Sequence, residues 1–219
     1  MPEINSIPYE AAEDLNKYLY DNYYSIESID LTKTGSGYLK QNIFELSHET
    51  GAVANSTCMT NYNLPYFNPL YSEAVWKCYM NNADDSFVFF GFKETVAEPT
   101  LAMVESHAGF MVSGGKLYAS VGDGSTQQRV EIVGIDLIRV QNYKIEYFNF
   151  SIQPLPVVEE ALGLPTVYSI DRKWKLMTSL SNFPPINQVH YVVQYIKNLV
   201  GADKKIIFNR FIYKEVYAD

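Results

Sequence analysis

From residue 41 onward the apolar residues of this chain recur mostly with a period of two, and that alternation limits the fold more than any other feature. Successive side chains of a strand point to opposite faces, so period two means strand, whereas a helix would repeat every 3.6 residues. Ala74, Trp76, Cys78 and Met80 share one face, with Val75, Lys77 and Tyr79 on the other. Leu117, Ala119 and Val121 alternate with Lys116, Tyr118 and Ser120, and Val130 and Ile132 with Arg129 and Glu131. Tyr143, Ile145 and Tyr147 alternate with Lys144, Glu146 and Phe148. Val189, Tyr191, Val193 and Tyr195 form a further run, and Ile206–Tyr213 the last. Phe87–Phe92 is apolar on both faces, the mark of a central strand. Turn signals separate the runs at Gly114-Gly115, Gly122-Asp-Gly124, Gly134 and Asn182 to Pro185. Many short strands punctuated in this way predict an all-β sandwich or barrel.

The first 40 residues read differently. Pro8 suits a first helical turn, and Ala11, Leu15, Tyr18 and Leu19 follow at helical spacing. Glu10, Glu13 and Asp14 lie where the helix dipole favours acids. The spacing predicts a helical arm over 8–21, a Gly/Ser-rich loop at Lys33–Gly37, and a division into an arm (1–40) and a sandwich domain (41–219). A helical turn or two is expected at Pro156–Gly163, which opens on Pro and closes on Gly.

Composition narrows the function classes. With 17 Lys+Arg against 25 Asp+Glu the 219-residue chain carries a net charge of -8, which argues against a nucleic-acid binder. At 47% hydrophobic residues it is no disordered chain. The N-terminus has no basic and apolar segments of a secretory signal, and no apolar run is long enough to span a membrane. Cys58 and Cys78 have no metal-binding spacing and read as free, half-buried thiols, with a cross-strand disulfide left open.

The segment Ala108–Val121, followed by Gly122-Asp-Gly-Ser-Thr-Gln-Gln-Arg-Val-Glu-Ile132, Gly134-Ile-Asp136 and Asn142-Tyr-Lys-Ile-Glu-Tyr147, resembles concanavalin A-like jelly rolls, including laminin-G-like domains. Phe89-Phe-Gly-Phe92, Leu180-Ser-Asn182 and Ile206–Tyr213 are similar to their central and late strands, so the likeness covers about 70–215. It implies a jelly-roll β-sandwich. Glycan-cleaving members of this fold carry a Glu-x-Asp-x-x-Glu strand, and this chain has none; Glu94, Glu98, Glu105 and Asp123 lack that spacing. The resemblance is therefore to the non-catalytic branch.

Lectins of this fold bind calcium through clustered oxygen ligands. Asp84, Asp85, Asp123 and Asp136 sit in candidate loops, where Asp ordinarily hydrogen-bonds its own turn. One calcium at a loop end is the cofactor that stays open. His48, His107 and His190 lie far apart in strand-like sequence and mark no zinc site. Glu105-Ser-His107 puts Glu and His on one face with the serine opposite, against a triad of these neighbours. The Asn55-Ser-Thr57 and Asn149-Phe-Ser151 sequons are as many as chance supplies. A Pro/Asn-rich stretch gathers Tyr62, Tyr66, Phe67 and Tyr71, the candidate ligand-binding aromatics, with Asp123 as a further candidate.

A fold common outside cells, no secretory signal, few charges and an arm fit to pack on a neighbour all point to a virus or phage particle protein: a non-enzymatic capsid, turret or attachment subunit. Its expected partners are further copies of itself or other virion subunits, with host glycan as a possible ligand. A cellular lectin-like carbohydrate-binding module, cytoplasmic or extracellular without a cleavable signal, is the first alternative, and a divergent glycoside hydrolase the second.

Overall fold

The computed structural model describes residues 20–21, 32–41, 45–64, 71–148, 155–160, 173–176 and 190–216. Fifteen strands run along them: β1 Tyr20–Asp21, β2 Thr32–Thr34, β3 Tyr38–Gln41, β4 Leu46–Glu49, β5 Thr57–Leu64, β6 Tyr71–Met80, β7 Ser86–Lys93, β8 His107–Ser113, β9 Lys116–Gly122, β10 Gln127–Ile132, β11 Gln141–Phe148, β12 Leu155–Glu160, β13 Lys173–Leu176, β14 His190–Asn198 and β15 Lys205–Val216. They form two antiparallel sheets. The eight-stranded sheet has the order β13-β12-β11-β6-β15-β4-β3, with β1 paired to the far part of β15. The seven-stranded sheet has the order β10-β9-β8-β7-β14-β5-β2. The late strands β14 and β15 enter between early ones, β14 between β7 and β5 and β15 between β6 and β4. The chain is the all-β jelly-roll sandwich its alternation predicts.

The alternating faces fall where the sequence places them. Ala74, Trp76, Cys78, Met80, Tyr143 and Ile145 from one sheet meet Val88, Phe90, Phe92, Phe110, Leu117, Ala119 and Val121 from the other in a single interior. Phe90 is its hub: its ring lies 5.3 Å from Phe110, 5.0 Å from Tyr143, and 5.9 Å from both Phe208 and Trp76. Edge-to-face and offset rings at such separations add to the apolar burial itself. The turn between β8 and β9 is Gly114-Gly115, with φ of 57° and 73°. A two-residue hairpin of type I′ needs positive φ at both positions, which glycine adopts without penalty.

Three expectations change. Leu155–Glu160 is strand β12, not a helix: it pairs with β11 on one side and β13 on the other, and Val157-Val158 suits that pleat. Pro156 stands opposite Ile145 of β11, and the pairing with β13 starts only at Val157, so no donor from proline is needed on that side. Strand pairing also begins before residue 41, since β2 and β3 already belong to the two sheets. The helix expected over 8–21 lies outside the described residues except for Tyr20–Asp21, which pair with Tyr213 and Ile212 as β1. Cys58 and Cys78 are fully rather than half buried, in strands of different sheets, and both are free thiols. Burial pushes the Cys58 thiol up to about 11 and Cys78 well above the ordinary thiol range.

One polar chain crosses this interior. His48 Nε2 lies 2.7 Å from Thr60 Oγ1, which donates to Gln194 Oε1 at 3.4 Å. That direction makes Nε2 the protonated nitrogen and leaves Nδ1 without a partner. Protonating His48 would bury a cation with nothing to receive its new hydrogen, and desolvation holds its pKa down at about 3 against an ordinary 6.5. The unfolded chain therefore binds this proton first, so His48 removes stability as pH falls through 6.5 toward 3. Urea unfolding should show roughly 2–3 kcal/mol lost through this group between pH 7 and pH 4.5. In His48→Gln that part of the pH slope should vanish; an unchanged slope would refute the assignment.

Candidate functional site

The alternation that turns Phe90 inward turns its neighbours outward, and the outer face of the seven-stranded sheet is built from them. In register across the strands, one row is Glu131, Tyr118, Met111, Phe89, Tyr195 and Met59. The next is Arg129, Ser120, Gly109, Gly91, Val193 and Asn61. The third is Gln127, Gly122, His107, Lys93 and Tyr191. Gly109 is required there, because a Cβ would stand 2.5 Å from the Phe89 ring that lies over it.

The middle of this face is apolar and covered. Met59, Phe87, Phe89, Met111, Val193 and Tyr195 form a second buried cluster, separate from the interior. Its cover includes Met103, 1% exposed, which comes from the β7–β8 connection (94–106). We call that connection the strap. Two of its acids fasten it to the sheet. Glu98 accepts from Thr57 Oγ1 at 2.8 Å and from the Tyr195 hydroxyl at 3.3 Å. Burial, with Glu98 beside it, pushes the Tyr195 hydroxyl well above the ordinary tyrosine range. Glu105 Oε2 accepts from Lys93 Nζ at 2.5 Å and from Thr95 Oγ1 at 2.5 Å, and Lys93 Nζ also donates to Thr95 at 2.6 Å. The Lys93 side chain is 0% exposed and its partner Glu105 26%, so this ion pair sits at the buried root of the strap.

Next to it runs a polar relay. His107 Nδ1 lies 2.7 Å from the Glu105 carbonyl, and His107 Nε2 lies 2.8 Å from Ser120 Oγ. The carbonyl can only accept, so Nδ1 donates and Ser120 donates to Nε2. Gln127 Nε2 donates to Ser120 Oγ at 3.1 Å. A serine hydroxyl on a tautomer-fixed histidine is the pairing of an activated nucleophile. Here both residues are fully buried, and the pair acts as a clamp between β8, β9 and the strap. Tyr118 on β9 and Tyr191 on β14 are each half-buried against the apolar cluster, three strands apart across the sheet. Arg129 on β10 stands over Tyr118, its guanidinium carbon 5.7 Å from the ring centre.

The residues singled out from sequence lie elsewhere. Tyr62 is on β5 opposite Val192, in the seven-stranded sheet, and Tyr71 opens β6 in the other sheet. Tyr66 and Phe67 lie outside the described residues. Asp123 closes the β9–β10 hairpin: its Oδ1 accepts the Ser125 and Thr126 amides, each at 2.8 Å, and their hydroxyls approach as well. Those backbone bonds hold its carboxyl below the usual range. Asp136 pairs with Arg139 at 3.1 Å and caps Ile138. Asp84 and Asp85 form the β6–β7 turn, where the Asp84 carbonyl accepts from the buried Lys204 Nζ at 2.6 Å and the Asp85 carbonyl from Leu199 N at 2.9 Å. Among the described residues no three Asp, Glu, His or Cys stand together as metal ligands. Nothing in the sequence singled out the strap, because Pro99 and Met103 are buried at positions with no periodicity.

These two sheets define a β-sandwich of the concanavalin A-like fold. The potassium-bound carbohydrate recognition domain of Emp46p is similar over 85% of this chain and 89% of its own, with a TM-score of 0.58 at 7% identity. A protein of unknown function from Shewanella oneidensis MR-1 is similar over 97% and 98%, with a TM-score of 0.56 at 11% identity. The lumenal domain of VIP36, in its Ca2+/Man3GlcNAc-bound form, is similar over 85% and 84%, with a TM-score of 0.55 at 6% identity. At such identities the likeness is one of fold. No family model matches the sequence, and no curated protein matches it.

The root of the strap gives a direct test. Glu105→Gln leaves Lys93 charged, buried and short of its partner, and should cost roughly 3–5 kcal/mol in denaturant unfolding. Adding Lys93→Met removes the stranded charge and should recover most of that loss. If the double variant is as unstable as the single one, the ion pair does not anchor the strap.

Proposed function

We propose that this chain is a non-enzymatic carbohydrate-recognition protein whose ligand lies on the outer face of the seven-stranded sheet, at the β9–β10 edge beside Tyr118. The observation that carries the reading is that edge: Tyr118 is half-buried against the cluster on a rigid strand, with the exposed Arg129 over its ring and the polar Gln127 two residues from Arg129 on the same face. Sugars offer C–H faces to aromatic rings and hydroxyls to polar groups, and such a face offers both. The fold's likeness to carbohydrate recognition domains supports the same reading. Binding without catalysis agrees with the acids nearby, since Glu98 and Glu105 are both engaged in fastening the strap.

The comparisons favour the lectin-like module over the setting in a virus or phage particle. That setting, with an oligomeric subunit, is a proposal resting on the sequence alone, and mass spectrometry of purified particles tests it. Among the described residues no helix is long and apolar enough to cross a membrane.

The binding proposal is tested on a glycan array with the purified full chain. At least one glycan should be retained, and Tyr118→Ala should weaken it about 3- to 10-fold, the worth of one aromatic contact. An array with no retained glycan would overturn the reading.

A further inference from the structure

The margin of the outer face also carries a charge that the rest of the molecule does not use. Gln127, Arg129 and Glu131 face outward from β10, because Val130 and Ile132 pack toward the interior. Glu131 is engaged by Lys116 at 3.1 Å. Arg129 has no carboxylate within ion-pair distance among the described residues, although the chain carries 25 Asp+Glu against 17 Lys+Arg. An exposed arginine in so acidic a chain would ordinarily find a surface acid. This one instead stands 5.7 Å over the centre of the Tyr118 ring, which fixes the guanidinium plane rather than neutralising it. Two residues along the same face, Gln127 spends its amide nitrogen on Ser120 Oγ (3.1 Å) and Met111 Sδ (3.6 Å), and so keeps its carbonyl oxygen as an acceptor. Across the hairpin from these two lie only Ser120 and Gly122, so the strip beside them is low.

Resting on the carbohydrate reading above, we propose that Arg129, Tyr118 and Gln127 form a subsite for an acidic sugar, one bearing a carboxylate such as a sialic or uronic acid residue. Arg129 takes the carboxylate in the two parallel hydrogen bonds that its planar fork allows. Tyr118 backs the guanidinium, and Gln127 Oε1 accepts from a hydroxyl of the sugar. The guanidinium is already oriented by Tyr118, so little rotamer freedom is lost on binding. The negative charge of the whole chain slows the approach of acidic ligands at low salt, so selectivity for them must come from this local contact rather than from steering.

The test measures binding of 3′-sialyllactose, polygalacturonate fragments and lactose to the full chain by surface plasmon resonance, alongside a panel of neutral glycans. At least one acidic glycan should bind about tenfold or more tightly than lactose, and Arg129→Gln should abolish that preference. Arg129→Lys, which keeps the charge and loses the fork, should restore only part of it. Thermal melts of both variants should match the parent, since the side chain is exposed. If Arg129→Gln binds sialyllactose and galacturonate as the parent does, or if only neutral glycans bind, the acidic subsite is wrong and the carbohydrate reading stands. If no glycan of either kind binds, the carbohydrate reading falls, and the subsite with it.

Discussion

The packing of Phe90 between the two sheets is the interaction on which the rest of the structure depends. Its ring comes from the middle of the seven-stranded sheet and meets Trp76, Tyr143 and Phe208, each from a different strand of the other. Because a strand alternates strictly, fixing Phe90 inward fixes Phe89, Gly91 and Lys93 outward. A one-residue slip of β7 would put Lys93 into an aromatic interior and expose Phe90 and Phe92, so the register tolerates no alternative. The outer face is thus the other side of the same constraint: its buried cluster, its ion pair at the root of the strap and its clamp of His107 and Ser120 all hang on strands whose phase the interior sets.

The order of the strands adds a second dependency. β14 and β15 occupy central positions in the two sheets, and their partners β5, β7, β4 and β6 come much earlier in the chain. Neither sheet is complete until the last quarter of the sequence has joined it. Such non-local pairing costs loop-closure entropy before it returns contact energy, and folds of this kind form slowly. Polar groups within the sandwich mark the same joints. Thr60 on β5 and Gln194 on β14 are directly opposite in register, and His48 reaches them from β4 of the other sheet.

Much of the fold was legible because alternation reports it directly. The runs at 74–80, 117–121 and 143–145 have the faces the sequence assigns them. Pro156–Glu160 forms a strand where Pro and Gly punctuation predicts a helix, because those residues punctuate helices and strands alike and the deciding partners, β11 and β13, are not local. The candidate site was legible only in part. Tyr118 and Arg129 could be placed on outward faces, but their meeting depends on the β9–β10 register, in which Gly122 stands opposite Gln127 around the Asp123 turn. The aromatics between Tyr62 and Tyr71 drew attention by density, which says nothing of which sheet each end joins. The strap was invisible, since a connection that buries one Pro and one Met carries no periodic signal.

The account's central claim is that ligands meet this protein on the margin of the seven-stranded sheet rather than at the loops that end the sandwich. Backbone NMR of the labelled chain, titrated with the tightest-binding glycan, tests it most directly. The account predicts shifts concentrated at Tyr118, Ser120, Gln127 and Arg129. Shifts confined to the turns at 81–85, 114–115 and 199–204, with those residues unmoved, would contradict it.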